Sequence, residues 1–150
     1  MRKGLVYGIL LSAALLIPTN HVELAKMRPV ETVRIRNQDE WIVIETDTED
    51  TGRGSTLEEA VKDLRDTAAG RVYVDTAQYL IVEEAAESQI GKLKELLKPG
   101  VRVCIEKGEI DMQTVGEYLR AHSPEMKLKN WQTGSKLQVL EGENGRLKLK

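Results

Sequence analysis

Tyr79-Leu80-Ile81-Val82 and Val101-Arg102-Val103-Cys104-Ile105 bracket a segment in which Ala86, Ile90, Leu93 and Leu97 recur at helical spacing. A short apolar run between polar boundaries reads as a strand buried on both faces. The segment between the two runs reads as a helix over about Glu84–Leu97, ended by Pro99-Gly100. Strand, helix and strand in that order make a βαβ unit, whose two strands lie parallel. The expected fold class is therefore α/β.

The flanking sequence extends this unit in both directions. Leu57, Ala60, Val61, Leu64 and Ala68 form the apolar face of a helix, with Ser55 and Glu58 spaced as a capping box and Gly70 as its stop. Val72 and Val74 begin a further strand, and Asp75-Thr76-Ala77-Gln78 is either a turn between two strands or part of a distorted one. Val30–Arg36 and Trp41–Thr46 alternate apolar with other residues around polar Asn37-Gln38-Asp39-Glu40, which predicts a β-hairpin. Asp47–Gly54 reads as a polar, acidic connection. Downstream, Asp111 caps a third helix over Met112–His122, with Val115 and Leu119 inward and Ser123-Pro124 beyond its end. Met126–Asn130 reads as a strand, and Leu137–Leu140 with Arg146–Leu149 as a closing hairpin around Asn144-Gly145. The expectation is one three-layer-like βαβ domain over residues 26–150, with a largely parallel central sheet and a hairpin at each edge.

Residues 1–25 read differently. Arg2 and Lys3 precede an apolar run of about 13 residues, Leu5 to Ile17, and then Pro18. That is the form of a signal peptide, or of a membrane anchor if it is not cleaved. No small-x-small cleavage pattern follows Pro18, so both forms stay open. The positive pair should remain in the cytoplasm, which puts the domain outside, either secreted or anchored to the cytoplasmic membrane. A buried helix of a cytosolic protein fits less well, because the run is apolar on every face and its charges sit at one end.

With 41% hydrophobic and 31% charged residues the chain has the composition of a globular protein. A net charge of −2 and no basic stripe argue against nucleic-acid binding. The single cysteine, Cys104, has no partner for an intramolecular disulfide and reads as a small core residue. His21 and His122 are too scattered to predict a metal site, and no cofactor motif is present. Trp41 and Trp131 read as packing residues, and Lys92–Lys98 as a solvated helix face.

Two places remain as candidate sites. Gly52, Gly54, Ser55 and Thr56 precede a helix, where a phosphate-cradling loop would lie. The lysine of a Walker-type loop is missing, and Leu57 stands where a dinucleotide fingerprint needs a glycine. Asp75 and Thr76, at the carboxyl end of a predicted strand, could share a ligand-binding rim with Glu83-Glu84 and serve acid–base chemistry or bind a cation. Capping and dipole complementarity are the commoner explanation of both places.

Gly54-Ser55-Thr56-Leu57-Glu58-Glu59-Ala60 with Leu64, then Val72-Tyr73, then Leu80-Ile81-Val82-Glu83-Glu84-Ala85 resembles the N-terminal domain of the Ger(x)C spore-germination proteins. The approach Glu23–Val30 is also similar, and together these pieces cover about half the chain. A lipid-attachment cysteine and a long C-terminal region, both features of those proteins, are absent here. The resemblance implies a shortened, unlipidated relative with a non-enzymatic role in an envelope assembly of sporulation or germination. The expected function is thus a non-catalytic exported or membrane-anchored binding or scaffold protein of the bacterial envelope. The alternative is a small exported hydrolase or phosphate-ligand binder using the Asp75 rim. The expected partners are the membrane, through the N-terminal segment, and an envelope protein, through the edge of the C-terminal hairpin. In that hairpin Leu137, Val139, Leu147 and Leu149 should share one apolar face, opposite Lys136, Gln138, Arg146, Lys148 and Lys150.

Overall fold

A computed structural model describes residues 27–150. The expected leader over residues 1–25, with His21, lies outside the described residues. Among the described residues no helix is long and apolar enough to cross a membrane.

Among the described residues seven strands form one sheet. They are β2 (Thr32–Gln38), β3 (Trp41–Thr46), β4 (Thr51–Gly54), β6 (Tyr79–Glu83), β7 (Arg102–Gly108), β8 (Val139–Glu143) and β9 (Arg146–Leu149). Their spatial order is β4-β3-β2-β6-β7-β8-β9. The central four, β2, β6, β7 and β8, run parallel, while β3, β4 and β9 join antiparallel. The sheet is therefore mixed, with a parallel centre and a hairpin on each flank. Two short strands, β1 (Met27–Pro29) and β5 (Arg71–Tyr73), pair parallel in a separate ribbon.

Alternation along the strands assigns the two faces. Val33, Ile35, Leu80, Val82, Val103 and Ile105 join one core with α1 (Leu57–Thr67) and α2 (Ile90–Leu96). Tyr79, Ile81, Cys104 and Leu140 join a second core with Val115 and Leu119 of α3 (Met112–Ala121). Full burial of residues such as Leu64, Leu93 and Leu119 contributes about 2 kcal/mol each, which fixes these helices far more firmly than their caps do.

Several local expectations shift. Thr51–Gly54 is a strand and not a connection. It lacks apolar residues because its inward positions are glycines: a Cβ on Gly52 would stand 2.2 Å from the Ala60 carbonyl oxygen, so only glycine lets α1 lie this close. The cap of α1 is Thr56, one residue later than expected, and Glu59 reaches back to Ser55. The helix stops at Thr67, with Ala68 already extended, short of Gly70. Glu84–Gln89 is 3-10 rather than α, so α2 is a short helix, although Ala86, Ile90, Leu93 and Leu97 are all buried as expected. Met126–Asn130 is not a strand: it makes one isolated bridge, Lys127 to Arg102, and then a 3-10 turn. The Asp111 cap of α3 is present as expected, its carboxylate accepting from Gln113 N–H.

The closing hairpin forms around Asn144 and Gly145, both at positive φ, as the turn signal requires. Its faces differ from the expected ones. Leu140 pairs with Leu149 and Gly142 with Leu147, so Leu147 and Leu149 share the α3 side with Leu140. Leu137 belongs to the core on the other face. A two-residue turn sets Glu143 opposite Arg146, which pairs odd positions of β8 with even positions of β9.

Candidate functional site

Arg34 and Arg36 on β2 alternate with buried Val33 and Ile35 and so point to the α3 side of the sheet. There Arg34 reaches across β6 to Glu106 on β7. Its Nε donates to Glu106 Oε2 at 2.6 Å and its Nη2 to Oε1 at 3.0 Å. Its Nη1 donates to Glu45 Oε2 at 3.2 Å and to the Ile110 carbonyl at 3.4 Å. Arg36 Nη2 donates to the other Glu45 oxygen at 2.5 Å. Arg34 and Glu106 are both buried. Burial pushes the Glu106 carboxyl above its ordinary range, and Glu83 pushes the same way, against the pull of Arg34 and Arg36. Such a pair is held by its bidentate geometry, because isolated burial of either charge would cost several kcal/mol.

Over this network lies a cleft of about 560 Å³, lined by Arg34, Arg36, Glu109, Asp111, Thr114 and Arg146 among others. It sits beside the carboxyl end of β7, where open α/β sheets place ligands. Its wall is built by close approach: a Cβ on Gly142 would stand 1.9 Å from the Glu109 carbonyl oxygen. Arg146, at the start of β9, is exposed and makes no ion pair among the described residues. Arg34 and Arg36 are held in place by their ion pairs, and both Glu106 oxygens are already occupied by Arg34.

The residues singled out from the sequence do not come together. Gly52 and Gly54 lie in β4 under α1, and not in a loop. Ser55 donates through N–H and hydroxyl to the Glu59 carboxylate, at 2.9 and 2.6 Å, and Thr56 Oγ1 accepts from Glu59 N–H at 3.2 Å. A carboxylate from the helix itself thus takes the place an anion would need. The Ser55 bonds hold the Glu59 carboxyl below its ordinary range.

Asp75 and Thr76 fall in a 3-10 turn over Val74–Thr76, ahead of the amino end of β6. Glu83 is at the opposite end of that strand, roughly 13 Å away at the usual rise per residue, so the expected shared rim does not form. The reason is that β5, which ends before Asp75, belongs to the small ribbon and not to the central sheet. Asp75 lines a cavity with Arg65 and Arg71, while Thr76 lines another with Lys98 and Arg102. The Thr76 hydroxyl accepts from Val30 N–H at 3.0 Å and lies 2.9 and 2.7 Å from the Val30 and Tyr73 carbonyls, a role in tying the ribbon to the sheet.

Cys104 is buried, and burial together with Glu106 pushes its thiol up to about 12. Among the described residues no group of three or more His, Cys, Asp or Glu is placed to hold a metal ion. His122 stacks on Tyr118 with ring centroids 4.5 Å apart. Trp131 is buried beneath Lys94, whereas Trp41 is 52% exposed.

The two edges of the sheet are treated differently. On β4, Arg53 N–H donates to Asp63 Oδ2 at 2.8 Å, and the Thr67 hydroxyl, which donates to the Asp63 carbonyl at 2.8 Å, lies 3.4 Å from the Thr51 carbonyl, so α1 lies against that edge. On β9, Val139 and Lys150 exchange both backbone bonds. By the alternation of an antiparallel ladder, Leu147 and Leu149 therefore turn their N–H and C=O groups away from β8. Leu149 N–H donates to the Tyr118 hydroxyl at 2.8 Å. The outward backbone groups of Leu147 have no such partner among the described residues. Tyr118 and the ion pair were missed in the sequence. The available signal was two arginines alternating with buried aliphatics in one strand, which places charge on a face that a helix must cover.

Comparison with known proteins returns no family model, no curated protein and no solved structure that matches this chain.

Proposed function

We propose that the chain is a non-catalytic binding or scaffold domain of the bacterial cell envelope, exported or held at the membrane by its N-terminal segment. Its partner protein is met at the outer edge of β9. The observation that carries this reading is the inequality of the two edges: α1 packs against β4 at its glycines and its Asp63 takes Arg53 N–H, whereas among the described residues the outward groups of β9 have a side-chain partner only at Leu149. An edge strand with unpaired backbone groups is a template for another chain. The cleft beside β9 supports binding over catalysis, because the buried Glu106 carboxylate beneath it is held on both oxygens by Arg34 and the arginines that line it carry fixed charge. Arg2 and Lys3 ahead of an apolar run support export, and the resemblance to Ger(x)C proteins supports a setting in sporulation or germination.

Two measurements test this reading together. A reporter that is active only outside the cytoplasm, fused after Lys150, should be active. A photo-crosslinker placed at Leu147 in cells should give a protein adduct that one at Arg53 does not give, and Asp75→Asn should leave that adduct unchanged. An inactive fusion with intact protein in the cytosol would overturn export. Adducts from Arg53 alone, or loss of the adduct in Asp75→Asn, would overturn the β9 edge as the binding surface.

A further inference from the structure

The edge of β9 prescribes what can be added to it. Leu147 and Leu149 are half-buried on the α3 side, against the core that contains Leu140 and Leu119. Lys148 alternates with them, is exposed, and makes no ion pair among the described residues. Lys150, on the same face, is tied to Glu141. A strand laid beside β9 presents its side chains alternately to these two rows. Apolar side chains would complete the burial of Leu147 and Leu149, and acidic ones would lie beside Lys148 and Lys150. A second copy of β9 would instead set Arg146, Lys148 and Lys150 against the same three cations, which is unfavourable.

One group stands in the way. The Tyr118 hydroxyl already accepts Leu149 N–H, from a ring held in place by its stack on His122. We propose that β9 takes up an extended segment of another protein, alternating apolar and acidic side chains, and that the Tyr118 hydroxyl is the gate this segment displaces from Leu149 N–H. This rests on the β9 edge being the partner surface. Displacement exchanges one hydrogen bond for another, so the gate removes one net hydrogen bond from the gain on binding. That corresponds to about fivefold in affinity.

The test uses the full chain in detergent micelles and fluorescent peptides read by anisotropy. The probes are an alternating Val-Glu octapeptide, its Val-Lys counterpart, and a peptide of residues 146–150. The Val-Glu peptide should bind the wild type, bind Tyr118→Phe about fivefold more tightly, and be lost in Leu147→Pro, which removes an outward donor together with the leucine side chain the added strand would cover. Lys148→Glu, which leaves the backbone intact, should weaken the Val-Glu peptide and favour Val-Lys. Unchanged affinity in Tyr118→Phe, with binding still lost in Leu147→Pro, overturns the gate and leaves the edge reading standing. Equal binding by Leu147→Pro and wild type, or no binding even to Tyr118→Phe, overturns the edge reading and the gate with it. Equal or tighter binding of the Val-Lys or 146–150 peptide overturns the acidic partner.

Discussion

The β4 end and the β9 end of the sheet solve one problem by opposite means. Each is an edge strand with a helix nearby. At β4 the solution is contact: Gly52 and Gly54 let α1 lie so close that any Cβ would collide with its backbone, and Asp63 takes up the outward Arg53 N–H. At β9 the solution is polar and partial: α3 contributes the Tyr118 hydroxyl, and a charged cleft lies alongside. Close packing is all-or-none, whereas a single hydrogen bond can be exchanged for another at small cost. The difference separates an end built to stay shut from an end that can be opened.

Four substitutions break or sharpen this contrast. Glu106→Ala should have the largest effect, because it leaves Arg34 buried with only Glu45 and a carbonyl, and a broken buried pair costs about 3–5 kcal/mol. Urea unfolding would measure it, and joint replacement of Arg34 by Met and Glu106 by Leu should recover most of the loss. Gly52→Ala should cost about 2–3 kcal/mol, since the neighbour it meets is helix backbone and cannot rotate aside. A loss below about 0.5 kcal/mol would mean that the β4 end is not closed by contact. Tyr118→Phe should cost only about 1 kcal/mol in the same assay.

The smallest effect is pH-dependent. The Glu59 carboxyl is held low by Ser55, so its contribution is present above the ordinary value of 4.5 and is lost as pH falls through the depressed value. The thermal midpoint of Glu59→Gln should lie slightly below wild type at neutral pH, and the gap should close on acidification. A gap that widens toward low pH would show that the carboxylate does not act as the cap.

How much of this was legible follows from what each signal encodes. The apolar runs at Tyr79–Val82 and Val101–Ile105 and the helical faces of α1 and α3 were readable because burial imposes a period. β4 was not, since Thr51-Gly52-Arg53-Gly54 carries its pattern in what is missing, glycine where a core residue would stand. The position of Asp75 is not legible, because Arg71–Tyr73 looks like any short strand and its partner, β1, is a tertiary fact. The faces of the closing hairpin could have been read. Asn144-Gly145 as a two-residue turn already fixes the parity that puts Leu140 with Leu149. Tyr118 carries no local signal, because its partner is a backbone group 31 residues away.

The most direct test of the central claim is amide hydrogen exchange at three outward-facing positions, resolved residue by residue in the native protein. The account predicts strong protection at Arg53, held by Asp63, and intermediate protection at Leu149 that falls to the level of Leu147 in Tyr118→Phe. Leu147 itself should exchange fastest of the three in both proteins. Protection at Leu147 equal to that at Arg53, or a Leu149 rate indifferent to Tyr118→Phe, would contradict the claim that one end of the sheet is shut and the other gated.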